Sequence, residues 1–293
     1  MSRSEAGREP DAAHAAAAEL TELLARPMTP PDPAVLAAIA RGPLAVADAL
    51  PRERIDRLLD PAPLAAESGW CWLGDGVGYV AVRTAMPCVT GEMIDWWFDW
   101  HARDPLRYRV WHPSAHRDNR LDPLPDERVG IESAGGPPRA KAHWGATHHP
   151  VEDVGTGMVH ARIAFHPPSE MGFADDALDD PRVATIVCGY AGDDTRRVRH
   201  TPMAHVFLRT GGDTAGDGDG VVLRSRFWLG AAVRPFAPAP LAAAGARLLN
   251  TRRARRLTLP RDIPRALATH CAEEYANLAA LLPGLHARFG PGA

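Results

Sequence analysis

The middle of the chain, from about residue 68 to residue 228, is a succession of short segments rich in aromatic and β-branched residues, separated by Gly, Pro and Asp. This pattern predicts antiparallel strands joined by turns. The candidate strands are 70–73, 78–85, 106–111, 126–132, 139–145, 157–165, 184–190, 202–209 and 220–228. One helix is predicted among them, over 90–105, because Ile94, Trp97 and Phe98 recur at helical spacing.

A long helix is predicted after the strands, beginning at the N-cap residue Asp262, with Pro264 close behind, and ending at Leu282 before a Pro-Gly pair. This order of elements predicts an α+β fold. One curved antiparallel sheet would wrap on the C-terminal helix, with a cavity between them. Short helices broken by prolines precede the strands, so we expect a helical N-terminal region over 1–65 and a main domain over 66–293.

Composition excludes several classes of partner. The chain has 293 residues, 45% of them hydrophobic, which is enough for one large core. Its 33 basic and 36 acidic residues do not form the basic field that binding to nucleic acid or an anionic membrane needs.

Charges interrupt residues 1–27, and no apolar run reaches about 18 residues, so neither a signal peptide nor a membrane span is expected. The four cysteines form no metal or disulfide motif, which favours a reduced, cytoplasmic protein.

Two polar residues fall on the face of the last helix that should be apolar. At about 3.6 residues per turn, His270 and Glu274 share a stripe with Leu267 and Leu278. An unpartnered polar group in a core costs roughly 2 to 7 kcal/mol, so something must compensate. Residues four apart on a helix lie one above the other, so the pair can present one nitrogen and one oxygen to a metal ion. A simple His–Glu hydrogen bond is the alternative, and the spacing alone favours it.

Two other segments supply further candidate ligands. The segment 104–119 contains Tyr108, His112, His116 and Asn119. The segment 143–155 contains His143, His148, His149, Glu152 and Asp153. Two imidazoles and two carboxylates would suit Zn²⁺, with Fe²⁺ or Mn²⁺ as alternatives. Composition alone leaves the choice of ligands open.

Four segments, in order, resemble one enzyme family. They are RYRVWHPSAHRDN (107–119), VEDVG (151–155), RSRFWLG (224–230) and HCAEEYANL (270–278). The family is that of the diacetylphloroglucinol and phloretin hydrolases, zinc-dependent enzymes that hydrolyse a carbon–carbon bond between an acyl group and a phenolic ring. The resemblance extends from about Trp70 to about Leu282. It implies a helix-grip, Bet v 1-like fold for the main domain, and a homodimer.

The resemblance also implies a site. By position, the metal ligands would be His116, Glu152, His270 and Glu274. His116 is preferred to His112 because it ends the W-H-P-x-x-H string, where the ligand of the family lies. The implied substrate-contacting residues are Tyr108, Asn119 and His205. The family has a pocket tyrosine near RSRFWLG, whereas this chain has Phe227 and Trp228 there, which leaves the exact substrate open.

The implied reaction is a retro-Claisen hydrolysis of a small acylated phenolic ketone. Water adds to the carbonyl group, and the ring carbon leaves as it takes up a proton. A ligand carrier of the same fold is one rival, and it would bind no stoichiometric metal. A polyketide cyclase or an iron oxygenase is another, since two histidines and one carboxylate also form an oxygenase triad. Four protein ligands argue against the oxygenase, because oxygen activation needs open positions on the metal.

Overall fold

The computed structural model describes residues 8–123, 141–211 and 220–292. The helices are α1 (Arg8–Leu24), α2 (Pro33–Ala40), α3 (Gly91–Trp100), α4 (Pro105–Trp111), α5 (Pro168–Met171), α6 (Ala239–Leu249), α7 (Arg252–Thr258) and α8 (Ile263–Phe289). The strands are β1 (Gly69–Trp72), β2 (Gly78–Met86), β3 (His116–Leu121), β4 (Thr147–Asp153), β5 (Met158–His166), β6 (Val183–Asp193), β7 (Val198–Arg209), β8 (Val221–Leu229) and β9 (Arg234–Pro235).

The strands form one antiparallel sheet in the order β1-β2-β8-β7-β6-β5-β4-β3, and β9 pairs with β7. Successive residues of a strand point to opposite faces. On β2, Val80 and Val82 belong to the core cluster that contains α8, whereas Tyr79 and Ala81 belong to a second cluster, on the other face. A 3₁₀ segment, Arg52–Leu59, covers that outer face. The sheet therefore lies between two layers, with α3, α4 and α8 on its inner face.

This architecture confirms the predicted α+β fold, in which a sheet packs on a long C-terminal helix. The helix predicted over 90–105 is α3, and the hydroxyl group of its N-cap residue Thr90 accepts a hydrogen bond from the backbone N–H of Met93. Six of the predicted strands correspond to β1, β2, β5, β6, β7 and β8. The division at residue 65 stays a prediction. Among the described helices, none combines the length and apolar character that crossing a membrane requires.

Two predicted strands are wrong. Residues 106–111 form helix α4, because Pro105 occupies its first turn and the carboxylate of Asp104 accepts a hydrogen bond from the N–H of Leu106 at 2.8 Å. Residues 141–145 form a turn, and the rest of the prediction for 139–145 lies outside the described residues. The strand predicted over 126–132 also lies outside them. The structure also contains two strands, β3 and β4, that the sequence pattern did not predict.

Helix α8 continues beyond Leu282, where the sequence predicted its end. Pro283 lies inside the helix, where a proline costs roughly 3 kcal/mol because it removes a backbone donor. The last two turns are nevertheless well packed. Leu285 is buried, and the ring of Phe289 stacks on that of Trp100 with centroids 5.5 Å apart. This packing offsets the cost of the proline.

Asn277 fastens α8 to the end of α4. Its amide nitrogen donates to the carbonyl groups of Trp111 at 2.9 Å and Val110 at 3.3 Å. Its amide oxygen accepts from the backbone N–H of Thr29 at 3.1 Å. Carbonyl groups in the last turn of a helix have no partner within that helix, so the side chain satisfies groups that α4 leaves open.

We expect Asn277→Ala to lower the free energy of unfolding by about 2 to 4 kcal/mol, because it leaves buried backbone groups without partners. Urea denaturation followed by circular dichroism measures this change. Arg265→Ala, at an exposed position of the same helix, is the control and should change it by less than about 0.5 kcal/mol. Equal effects of the two substitutions would contradict the role given to Asn277.

Candidate metal centre

His116 opens β3 directly opposite Glu152 on β4. The turn after α4 brings it there, since the backbone N–H of His116 donates to the carbonyl group of His112 at 2.8 Å. Nδ1 of the His116 ring lies 3.1 Å from the carbonyl oxygen of Tyr108, so Nδ1 carries the proton and Nε2 keeps a free lone pair. The Tyr108 ring stacks on the same imidazole, with centroids 4.0 Å apart and planes within 3°. The orientation of His116 is therefore fixed from two sides.

Helix α8 brings two more side chains to His116 and Glu152. Glu152 Oε2 lies 3.3 Å from His116 Nε2 and 3.7 Å from His270 Nε2. Glu274 Oε2 lies 3.6 Å from His116 Nε2 and 3.7 Å from His270 Nε2. One ligand atom each from His116, Glu152 and His270 lies within 4.8 Å of the other two. These three residues form a mostly buried group that is able to hold a metal ion, with Glu274 beside it.

The position of α8 depends on α4. The indole N–H of Trp111 donates to the backbone carbonyl group of Glu274 at 2.9 Å. His112, the next residue along the chain, lies on the far side of the site. Its ring is parallel to that of His270, 5.0 Å away, and its Nε2 is 3.3 Å from Glu273 Oε2. The geometry thus brings His116, and not His112, into the group with Glu152.

Glu152 and His270 form a mostly buried ion pair, with Glu152 Oε2 3.7 Å from His270 Nε2. Burial alone would raise the pKa of Glu152, but the charges of His270 and His116 and the hydrogen bond from Tyr108 together lower it to about 2. Burial alone would lower the pKa of His270, but the neighbouring charges of Glu274 and Glu152 raise it to about 9. Without a metal ion, a proton therefore stays on His270 at pH 7.

The other two residues are shifted mainly by burial. Burial raises the pKa of Glu274 to about 8, against the attraction of His270. Burial also lowers the pKa of His116 to about 3, although Glu152 acts in the opposite direction. At pH 7 the metal-free site accordingly has protons on Glu274 and His270, an ionised Glu152 and a neutral His116.

This set of donors fits a metal ion. Within the described ranges, His116 Nε2 is fully buried and has no hydrogen-bond partner. A buried nitrogen without a partner costs several kcal/mol, which a metal ion among these side chains would offset. Two imidazole nitrogens and two carboxylates are typical of Zn²⁺ and also suit Fe²⁺ or Mn²⁺.

A cavity of about 590 Å³ lies beside this group, between the sheet and α8. Glu152, His270 and Glu274 form part of its wall. Its apolar lining includes Phe98, Trp111, Phe165, Phe227 and Leu267. A volume of this size, lined largely by apolar side chains with polar groups among them, is typical of a site for a small organic molecule.

The three residues expected to contact substrate, Tyr108, Asn119 and His205, all line this cavity. The hydroxyl group of Tyr108 donates to Glu152 Oε2. Asn119 is buried, and neither atom of its side-chain amide has a hydrogen-bond partner in the described part of the chain. His205 Nδ1 lies 2.8 Å from Ser225 Oγ, and burial lowers the pKa of His205 to about 3, so this ring is neutral at pH 7.

Sequence reasoning missed several aromatic residues of the cavity, and Tyr275 is the one nearest to a predicted site residue. Tyr275 lines it, with its ring 5.1 Å from that of His205. The signal was present, because Cys271, Tyr275, Leu278 and Leu282 follow helical spacing, and all four are buried. Phe227 lines the cavity. A phenyl ring is therefore present where the resemblance implies a tyrosine.

Comparisons with known proteins point to one family. Residues 50–287 match the family described as DAPG hydrolase PhiG domain. The chain is 30% identical over 257 residues to phloretin hydrolase of Eubacterium ramulus, covering 86% of this chain and 83% of that one. It is 31% identical over 263 residues to 2,4-diacetylphloroglucinol hydrolase of Pseudomonas protegens, covering 87% and 80%. The crystal structure of the Zhui aromatase/cyclase from Streptomyces sp. R1128 covers 73% of this chain and 99% of its own, with a TM-score of 0.37 and 10% identity, a likeness too weak to support an inference.

Proposed function

The chain belongs to the DAPG hydrolase family, and from this premise we propose that it is a zinc-dependent hydrolase that breaks the carbon–carbon bond between an acyl group and a phenolic ring. The observation that supports this most is the convergence of two imidazoles and two carboxylates around the unpartnered His116 Nε2, beside an apolar cavity. The substrate would be a small acylated phenolic ketone, the class to which 2,4-diacetylphloroglucinol, named in the relatives, belongs.

His116, Glu152, His270 and Glu274 would hold the ion. When bound, Zn²⁺ polarises a carbonyl oxygen and lowers the pKa of a water molecule toward about 7. The protein supplies the orientation of the ligands. The carbonyl group of Tyr108 fixes the tautomer of His116, and the hydroxyl group of Tyr108 holds one oxygen of Glu152.

The reaction would be a retro-Claisen hydrolysis. The oxygen of water bonds to the carbonyl carbon of the acyl group, and Glu152 or Glu274 accepts a proton from that water. The bond between this carbon and the ring then breaks, and its electron pair stays on the ring carbon. That carbon takes up a proton, so the products are a carboxylic acid and the deacylated phenol.

Tyr108 fits better than His205 as the source of the proton for the ring carbon. Its hydroxyl group donates to Glu152, so Glu152, once it has accepted the proton of the attacking water, can return that proton to Tyr108 after Tyr108 has protonated the ring carbon. His205 is neutral at pH 7 and carries no extra proton to give. It suits a hydrogen bond to a ring hydroxyl group instead, as does the unpartnered amide of Asn119.

Elemental analysis and a turnover assay test the proposal together. We expect about one zinc ion per purified chain and release of a carboxylic acid from acylphloroglucinols. Turnover by the zinc form without oxygen would exclude the oxygenase. A protein that binds these ketones tightly, without stoichiometric metal and without releasing acid, would instead be a ligand carrier.

Zinc affinity should rise with pH. Glu274 and His270, whose pKa values are about 8 and 9, are protonated at pH 6 to 7 and must each lose a proton to bind the ion. Raising the pH removes this competition, so the affinity should increase by up to about 100-fold per pH unit below pH 8, the slope for two protons. Competition with a chromophoric chelator measures it. Glu274→Gln should reduce the slope by about one proton, and a pH-independent affinity would contradict the assignment.

A further inference from the structure

The cavity carries polar groups at a distance from the metal ligands. Alternate residues of β4, namely Glu152, Pro150 and His148, line it. At about 3.3 Å per residue, the backbone of His148 lies about 13 Å from that of Glu152. Asn119 on β3 pairs with Pro150, between the two. One wall therefore offers polar groups at the metal end, in the middle and at a far end.

His101 joins His148 at this far end and lines the same cavity. Its ring lies between the ring of Trp97, at 5.0 Å and 25°, and the ring of Tyr108, at 5.9 Å and 28°. Its Nδ1 is 2.6 Å from the carbonyl oxygen of Trp97, so Nδ1 carries the proton. Because both faces and Nδ1 are occupied, the edge with the lone pair of Nε2 is the part that His101 can offer to a ligand.

Neither imidazole is charged at pH 7. Burial lowers the pKa of His101 to about 4. Burial, together with the neighbouring His101 and His143, lowers the pKa of His148 well below its usual value. The two rings meet edge to face, 5.4 Å apart. A neutral imidazole nitrogen can accept a hydrogen bond from a neutral hydroxyl group, but it gives a carboxylate no compensating charge.

We propose that His101 and His148 form a second subsite of the cavity, which accepts a hydrogen bond from a phenolic hydroxyl group on the side of the ring opposite the acyl group. This inference rests on the proposed function, because it places the acyl group at Glu152. Asn119, in the middle, then meets a hydroxyl group next to the acyl group. The expected substrates are therefore acylphenols with a free hydroxyl group opposite the acyl group, and a carboxylate at that ring position is disfavoured.

A pair of ligands that cannot be hydrolysed tests the subsite. In 2-ethylbenzene-1,3,5-triol an ethyl group replaces the acyl group, so no carbonyl is present. In its 5-O-methyl ether a methyl group replaces the hydrogen of the hydroxyl group opposite the ethyl group, so that oxygen can no longer donate. Isothermal titration of the purified zinc protein should show the triol binding about three- to tenfold more tightly than the ether, the range for one neutral hydrogen bond.

His101→Phe and His148→Phe keep a ring and remove the acceptor. In each variant the triol and the ether should bind within about twofold of each other. His166→Phe is the control, because His166 lies outside the cavity and bonds to Glu170 at the surface, and it should keep the wild-type ratio. If neither variant folds, the ratio of the two affinities in the wild-type protein still tests the subsite. Equal binding of the triol and the ether by the wild-type protein overturns it.

The subsite and the proposed reaction can fail separately. Suppose that no acylphloroglucinol is hydrolysed, but the wild-type protein binds the triol more tightly than the ether and the two variants do not. The subsite then stands, and the proposed reaction is wrong. If acid is released but both variants retain the wild-type ratio, the reaction stands and the subsite is wrong.

Discussion

Replacement of His270 by alanine should lower zinc affinity by about 10²- to 10³-fold and turnover by at least as much. The substitution removes one of the four proposed ligands and leaves Glu152 and Glu274 close together in a buried site without that imidazole. Removing one partner from a buried ionic group costs about 3 to 5 kcal/mol, and each 1.4 kcal/mol is about tenfold. Chelator competition measures the zinc affinity, acid release from an acylphloroglucinol measures turnover, and elemental analysis gives the zinc content.

His286→Ala is the matched control for this experiment. His286 lies on the same helix, where its ring meets that of Trp96 edge to face at 5.2 Å, and it does not line the cavity. This variant should keep one zinc ion per chain and the wild-type rate. A His270→Ala protein with unchanged zinc content and turnover would remove the metal from the proposed reaction.

Tyr108→Phe should lower kcat by about 10²- to 10⁴-fold, the range for loss of a positioned general acid. The phenyl ring can keep its stacking on His116, so zinc content should stay at one per chain. Only the hydroxyl group that donates to Glu152 is lost. Steady-state kinetics and elemental analysis of the same preparation separate the chemical effect from loss of metal.

Tyr190→Phe provides the comparison for Tyr108→Phe. Tyr190 lies on β6 outside the cavity, with the guanidinium group of Arg199 4.0 Å from its ring centroid. It should leave kcat within about twofold of wild type. If Tyr108→Phe did the same, the proton for the ring carbon would have to come from another group, and His205 would be the next to substitute.

The local sequence pattern correctly predicted the buried face of the last helix. Helical spacing alone placed His270 and Glu274 on the buried face of α8, and both are buried there. The order of the predicted strands and helices also gave the α+β fold. His116 and Glu152 were chosen by resemblance, because composition left several histidines and carboxylates equal. The cytoplasmic location and the homodimer stay predictions.

The sequence pattern failed on the two strands that carry the site. Strand β3 reads HRDNRL and β4 reads THHPVED, and neither has the alternation of apolar and polar residues that identifies a strand. Their inward positions are occupied by polar residues: Asn119, His148 and Glu152 line the cavity, and His116 belongs to the group that could hold a metal ion. Local rules are expected to fail at such positions, because function replaces packing there.

Elements with local signals could be predicted from the sequence: the helical spacing of α3 and α8, and the strands of the central sheet that are rich in aromatic and β-branched residues. The contact of His116 with Glu152 across β3 and β4, and of both with His270 and Glu274, became visible in the folded chain alone. The two kinds of feature differ in how far apart along the chain the interacting residues are. Helical spacing and caps depend on residues within a few positions of one another, whereas the metal centre depends on strand register and on the packing of α8 against α4, which join segments far apart in the chain.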